Sequence, residues 1–124
     1  MNSVRLHRRV LHFRVEFAHF LAKSRRLDPA KPVCIVKDWT WCDLETTIDE
    51  SQRISTFGLQ AVVIRFGCVI KDEAGRFDYG NWIRTSYLKE FHFNCLFETQ
   101  YTVYLLVSTG TRKAINSDQF KHFF

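Results

Sequence analysis

Glycine and proline are scarce in this chain of 124 residues, and the few present are scattered. The five glycines stand at positions 58, 67, 75, 80 and 110. No two are near enough to form a phosphate-cradling Walker loop or a dinucleotide-binding turn, which argues against nucleotide-cofactor enzymes. No C-x-x-C pair occurs among Cys34, Cys42, Cys68 and Cys95, and three of the four sit in apolar runs. Buried free thiols in a reducing compartment are therefore expected, rather than a disulfide framework or a thiolate metal site. Long apolar runs are missing as well. No stretch approaches the roughly 18 residues of a membrane span. Arg5, Arg8, Arg9, Arg14 and Glu16 interrupt the first twenty residues before a secretion signal could form. A cytoplasmic location is the resulting expectation, with no membrane span.

What the chain does have is apolar and aromatic mass. Hydrophobic residues make up 46%, with twelve Phe, four Tyr and three Trp. That suits one globular domain with its own core. Charge is unevenly placed. Residues 1–31 hold eight Lys/Arg against Glu16 and Asp28, a net of +6, whereas residues 32–124 hold ten against eleven acids, a net of −1. The pattern predicts a basic helical extension over 1–31 on a nearly neutral β-rich core over 32–124.

Leu6, Val10, Phe13, Phe17 and Phe20/Leu21 recur at helical spacing, predicting a helix from about Ser3 to Leu27 with one apolar face. Pro29 and Pro32 stop it. Its cations Arg5, Arg8, Arg9, Arg14, Lys23, Arg25 and Arg26 form the candidate basic surface. Thr46 or Thr47 is placed to cap a short middle helix carrying Asp49 and Glu50 in its first turn, with Gly58 ending it. The remainder reads as strands. Val33–Val36 is a short buried one; in 61–70 Val62, Ile64, Phe66, Cys68 and Ile70 share a face; Lys71–Gly75 is a hairpin tip. A single strand over 97–107 is expected to bury Phe97, Tyr101, Val103, Leu105 and Val107, and Gln119–Phe124 to form a last short helix. The fold class expected is α+β: an antiparallel sheet of four to five strands, open or partly closed as a barrel, packed by the N-terminal and middle helices.

Chemistry-bearing constellations are weak. His12, Glu16 and His19 lack the H-E-x-x-H spacing and lie among arginines, so no metal site is expected there. Ser86 with His92 and Glu98 has no nucleophile elbow around it. Asp38, Asp43 and Glu45 make one acidic stretch without a matching lysine pair. The expectation is a protein with no catalytic residues, no metal and no cofactor. The aromatic residues carry more information. Trp39 and Trp41 are two apart and project to one side of an extended segment; with Trp82 and the neighbouring Asp43 they form a candidate partner-binding patch. A core layer is the competing reading of the same tryptophans.

Three runs, Val33–Leu44 (VCIVKDWTWCDL), Asn81–Leu88 (NWIRTSYL) and Cys95–Lys113 (CLFETQYTVYLLVSTGTRK), resemble a small family of uncharacterised bacterial proteins with a D-W-T-W box, a W-I-R-T-S box and an L-F-E-T-x-x-T-V-Y-L-L box. The likeness covers roughly residues 33–115, and Ser108 stands where the third box would carry glycine. It implies one compact fold of bacterial cytosolic or mobile-element origin and brings no activity with it. Together these features predict a non-catalytic macromolecule-binding protein. Its partner is expected to be another protein, as for an inhibitor, immunity or anti-defence factor. The alternative is a nucleic-acid-binding module using the basic helix, and a small hydrolase or nuclease stands behind both. Self-association through the N-terminal helix is a further expectation.

Overall fold

The computed structural model of the chain describes residues 2–5, 13–76 and 83–116. Two helices and eight strands follow the order β1 (Asn2–Arg5), α1 (Phe13–Leu27), β2 (Val33–Glu45), α2 (Ile48–Thr56), β3 (Val62–Asp72), β4 (Ile83–Arg84), β5 (Glu90–His92), β6 (Leu96–Glu98), β7 (Val103–Leu106) and β8 (Thr109–Asn116). All eight strands belong to one mixed sheet. The α+β class therefore holds, but the sheet is larger than the expected four to five antiparallel strands and includes parallel pairings.

β2 is the organising strand. It pairs antiparallel with β3 along one side. Along the other it pairs parallel with β7 through Val33–Val36 and parallel with β8 through Thr40–Glu45. Two left-handed residues mark the break between those halves: Asp38 (φ 54°) within β2, and Ser108 (φ 68°) between β7 and β8. Past β8 the ladder continues to β1, with Ser3 opposite Thr111. Residues Ser3–Arg5 are thus strand, not the start of a helix, because the edge of β8 offers them a hydrogen-bonding partner. On the β7 side the ladder continues antiparallel through β6 to β5.

The sheet does not close into a barrel. Residues 83–92 instead cross from one edge to the other. They bond to β3 through Thr85 N–H to Ile64 O (2.8 Å) and Leu88 N–H to Val62 O (2.9 Å), and reach β6 through Lys89 N–H to Glu98 O (2.7 Å). This folds the sheet over its main core, which holds Val36, Trp39, Trp41, Ile64, Phe66, Val69, Phe97, Tyr104 and Leu106. The opposite, outer face has two halves. In one, Phe20 and Leu21 of α1 pack against Val33, Ile35, Val103, Leu105 and Val107. In the other, Cys42, Val63 and Ile115 form a smaller cluster with Leu44 and Tyr87.

Strict alternation fails in two places. On β3 the core spacing jumps from Phe66 to Val69, so Val69 rather than Cys68 continues the inner face, and Ile70 packs on the outer side. A register shift between Ile35 and Val36 accompanies it, as a bulge would produce. The stretch 97–107 is not one strand but the hairpin β6–β7. Its turn is held by Thr99, whose hydroxyl accepts from Thr102 N–H (3.2 Å) and donates to Thr102 O (3.1 Å). Tyr101 lies at the tip, 73% exposed rather than buried.

The local signals of both helices hold where they are described. After α1, Asp28 Oδ1 accepts from Ala30 N–H (2.9 Å) as the chain turns into Pro29. Thr47 caps α2 by accepting from Glu50 N–H (3.2 Å), and Gly58 follows at φ 72°. Gln119–Phe124 lie outside the described residues.

Candidate functional site

The D-W-T-W segment occupies the middle of β2, and the sheet buries its tryptophans. Trp39 is 2% exposed, its Nε1 donating to Val107 O (3.0 Å). Trp41 lies edge-on to Phe91 and Phe97, with ring centroids 5.0 and 5.4 Å away. Its Nε1 donates to Asp43 Oδ1 (3.1 Å). Asp43 also takes both arms of Arg112, at 2.7 and 3.0 Å, and the Arg112 guanidinium lies over the Trp41 ring. Trp39 and Trp41 are therefore core, and neither has surface to give a partner. Asp43 is engaged in closing that core. The parallel partner β8, which the sequence did not disclose, covers this half of β2 along Thr40–Glu45. Trp82 lies outside the described residues.

The outer face of the same strands brings three cationic residues close together. Arg65 on β3 stands directly opposite Arg84 on β4. Thr40 is paired with Arg65 on one side and Thr111 on the other, and the two threonine hydroxyls are 3.0 Å apart. One step along, Cys42 is paired with Lys113. Burial pushes the Cys42 thiol up, while Lys113 and Arg65 pull the other way, so both cations lie within electrostatic reach of it. The two guanidinium-bearing residues thus stand side by side across the ladder, with Arg84 also donating to Thr85 O (3.2 Å). Arg112 alternates to the inner side and does not join this surface.

Of the candidate basic residues in the N-terminal segment, Arg8 and Arg9 lie outside the described residues. Arg5 falls in β1 opposite Thr109, and Arg14 in the first turn of α1. Lys23 sits over the Phe93 ring, 4.0 Å from its centroid. Arg25 is ion-paired with Glu73 (2.5 Å), and Arg26 is exposed.

A second polar cluster, in which the sequence reading had grouped His92 with Glu98 but not with Glu90 or Lys31, lies at the β5–β6 hairpin. The Glu98 side chain is 7% exposed. Its Oε2 accepts from Lys31 Nζ (2.6 Å), which also donates to Thr99 O (2.9 Å). Its Oε1 meets His92 Nε2 at 2.9 Å. Burial alone would push the Glu98 carboxyl up, but the Lys31 and His92 hydrogen bonds outweigh it and hold the group below the usual carboxylate range. Glu90 stands opposite Glu98 in the ladder, with its Oε2 3.9 Å from His92 Nε2. The polar partners of His92 and Glu98 are each other, Lys31, Lys89 and Glu90. The signal that could have exposed the cluster is the hairpin register, which places Glu90 beside Glu98 eight positions later. The turn responsible, Phe93-Asn94, has both residues left-handed as in a type I′ turn, yet lacks the glycine by which such turns are recognised.

The sequence profile described as a domain of unknown function (DUF6957) matches residues 13–122. No curated protein and no solved structure matches the chain. Among the described residues, no helix is long and apolar enough to cross a membrane.

Proposed function

The chain belongs to the DUF6957 family, and we propose that it is a non-catalytic binding module for an anionic macromolecule, with nucleic acid as the partner the geometry supports best. One observation carries this reading: the cross-strand Arg65–Arg84 pair, joined on the outer face by Lys113. That face is the one on which α1, with Lys23, Arg25 and Arg26, is also packed. Closely spaced arginine and lysine side chains are the groups that neutralise a phosphate backbone and release its counterions. Thr40 and Thr111 place hydroxyls beside the cations, and hydroxyls are common phosphate donors. The tryptophans that favoured a protein partner now serve the core, which removes the chief support for an inhibitor of the aromatic-anchor kind.

A protein partner keeps one supporting observation. Helix α2 contributes no buried residue, and Ile48 and Phe57 at its ends are 77% and 76% exposed. The inhibitor, immunity and anti-defence readings would have to act through such a surface.

The discriminating experiment is binding of random-sequence DNA and RNA across a salt series, for the wild type and for Arg84→Gln and Lys113→Gln. Affinity is expected to fall linearly on a log–log plot, and each lost phosphate contact to flatten the slope by about 1. Absence of binding at low salt would overturn the nucleic-acid reading. A complex with equal slopes in wild type and variants would remove this face as the interface.

A further inference from the structure

The β5–β6 hairpin sets two carboxylates and one imidazole around a single point. From this geometry we infer a site for one divalent transition-metal ion of the zinc class, with Glu90, His92 and Glu98 as ligands. The ligand atoms all lie within 4.8 Å of one another. His92 Nε2 is 2.9 Å from Glu98 Oε1 and 3.9 Å from Glu90 Oε2. Zinc holds nitrogen and oxygen ligands at about 2.0–2.2 Å, which sets tetrahedral ligand atoms about 3.3 Å apart. His92 and Glu98 need to part by only a few tenths of an ångström, and Glu90 to approach by somewhat more.

Three features of the surroundings suit an ion. Glu90 and Glu98 are directly opposed in the ladder, and a cation between opposed carboxylates relieves their repulsion. Lys31 occupies only Oε2 of Glu98 and is itself anchored on Thr99 O, so it fixes the carboxylate with Oε1 turned toward His92. A hydrogen-bonded ligating carboxylate is the usual outer-shell arrangement of metal centres. Access is also provided: Glu90 is 68% exposed on the edge strand β5, whereas His92 and Glu98 are 14% and 7% exposed. Two ligands are thus held and the third is free to swing in behind an arriving ion. Lys89, 4.0 Å from Glu98 Oε2 and half exposed, stands on the Lys31 side of the carboxylate. One imidazole and two carboxylates leave a fourth position open to water or a ligand, and the mixed set selects zinc, manganese or iron(II) over calcium. The site lies on β5 and β6, whereas the Arg65, Arg84 and Lys113 cations lie on β3, β4 and β8.

The full chain, freed of metal with a chelator, should be titrated with Co²⁺ and followed by visible absorption. Saturation of the d–d bands at one equivalent, without thiolate charge-transfer bands, is expected, and Zn²⁺ should bleach them. Glu90→Gln, at an exposed position that leaves the fold intact, should weaken affinity by about tenfold or more, since even outer-shell changes cost about 10–100-fold. His92→Gln should remove the bands. Failure of the wild type to saturate overturns the site. So does a titration unchanged in both variants, and so do charge-transfer bands showing that the ion sits on cysteine.

Discussion

Gly110 sits beneath the Trp39 indole, and a β-carbon added there would fall well inside van der Waals contact with three ring atoms. The indole cannot retreat, because it is fully enclosed and its Nε1 is tied to Val107 O. Gly110→Ala should therefore destabilise the domain by about 1–3 kcal/mol or more, the cost of overpacking a closed core. A urea midpoint equal to the wild type's would refute that packing. Two residues earlier the opposite substitution helps. Ser108 holds φ 68° where β7 ends, a conformation costing a non-glycine residue about 1–2 kcal/mol. Glycine relieves that strain but adds unfolded-state freedom worth about 0.5–1 kcal/mol. Ser108→Gly should then raise stability modestly, by up to about 1 kcal/mol, and a lowered urea midpoint would contradict it. Glycine is the residue to which this left-handed backbone is best suited.

Helix α2 and hairpin β6–β7 show which elements can be read from a sequence. The cap of α2 is local chemistry: Thr47 serves Glu50 three residues on, and Gly58 follows the last turn. Such signals survive without knowledge of the fold. The β6–β7 turn is equally local, but it uses two threonines in place of glycine or proline, so the chain there looked like one continuous strand. The parallel pairings of β2 with β7 and β8 join residues about seventy positions apart, and no local pattern encodes them. The burial of Trp39 and Trp41 depends on those pairings, which is why spacing alone could not separate core from interface. The place of Glu90 beside Glu98 was hidden for the same reason as the turn that joins their strands. Because α2 buries no side chain, its stability is its own affair. Thr47→Ala should cost about 0.5–2 kcal/mol of helix stability. It should show as faster amide exchange confined to 48–56, with the global unfolding midpoint unmoved. A matching drop in the global midpoint would mean that α2 is coupled to the core.

Across the whole molecule, one end of the sheet is closed by carboxylates that act as clamps. Glu73 accepts from Arg25 of α1 and from Val33 N–H at the start of β2 (2.7 Å). Asp72 holds Arg76, which reaches Thr102 Oγ1 in the β6–β7 turn (2.9 Å), and Glu98 holds Lys31 and His92. Burial raises each of the three carboxyls, but hydrogen bonds and neighbouring cations outweigh it, so all three sit below the usual carboxylate range. A carboxyl with a lowered folded pKa stabilises fully above its unfolded value, about 4, and loses that contribution as pH falls through the folded value. Stability should thus be level near neutrality and fall steadily from about pH 5 downward. The alkaline side has its own limit. Burial pushes the Cys34 thiol and the Tyr104 phenol up to about 12, with smaller effects of nearby charges. Such raised groups stabilise fully below their ordinary values of 9.0 and 10.0 and lose that contribution as pH climbs toward about 12. Urea midpoints measured from pH 3 to pH 11 should trace a plateau with both shoulders. Glu73→Gln, at the most accessible clamp, should lower the plateau and flatten part of the acid shoulder. A wild-type acid limb that begins only below pH 3, or a Glu73→Gln curve parallel to the wild type's, would show that these clamps do not govern the fold's response to acid.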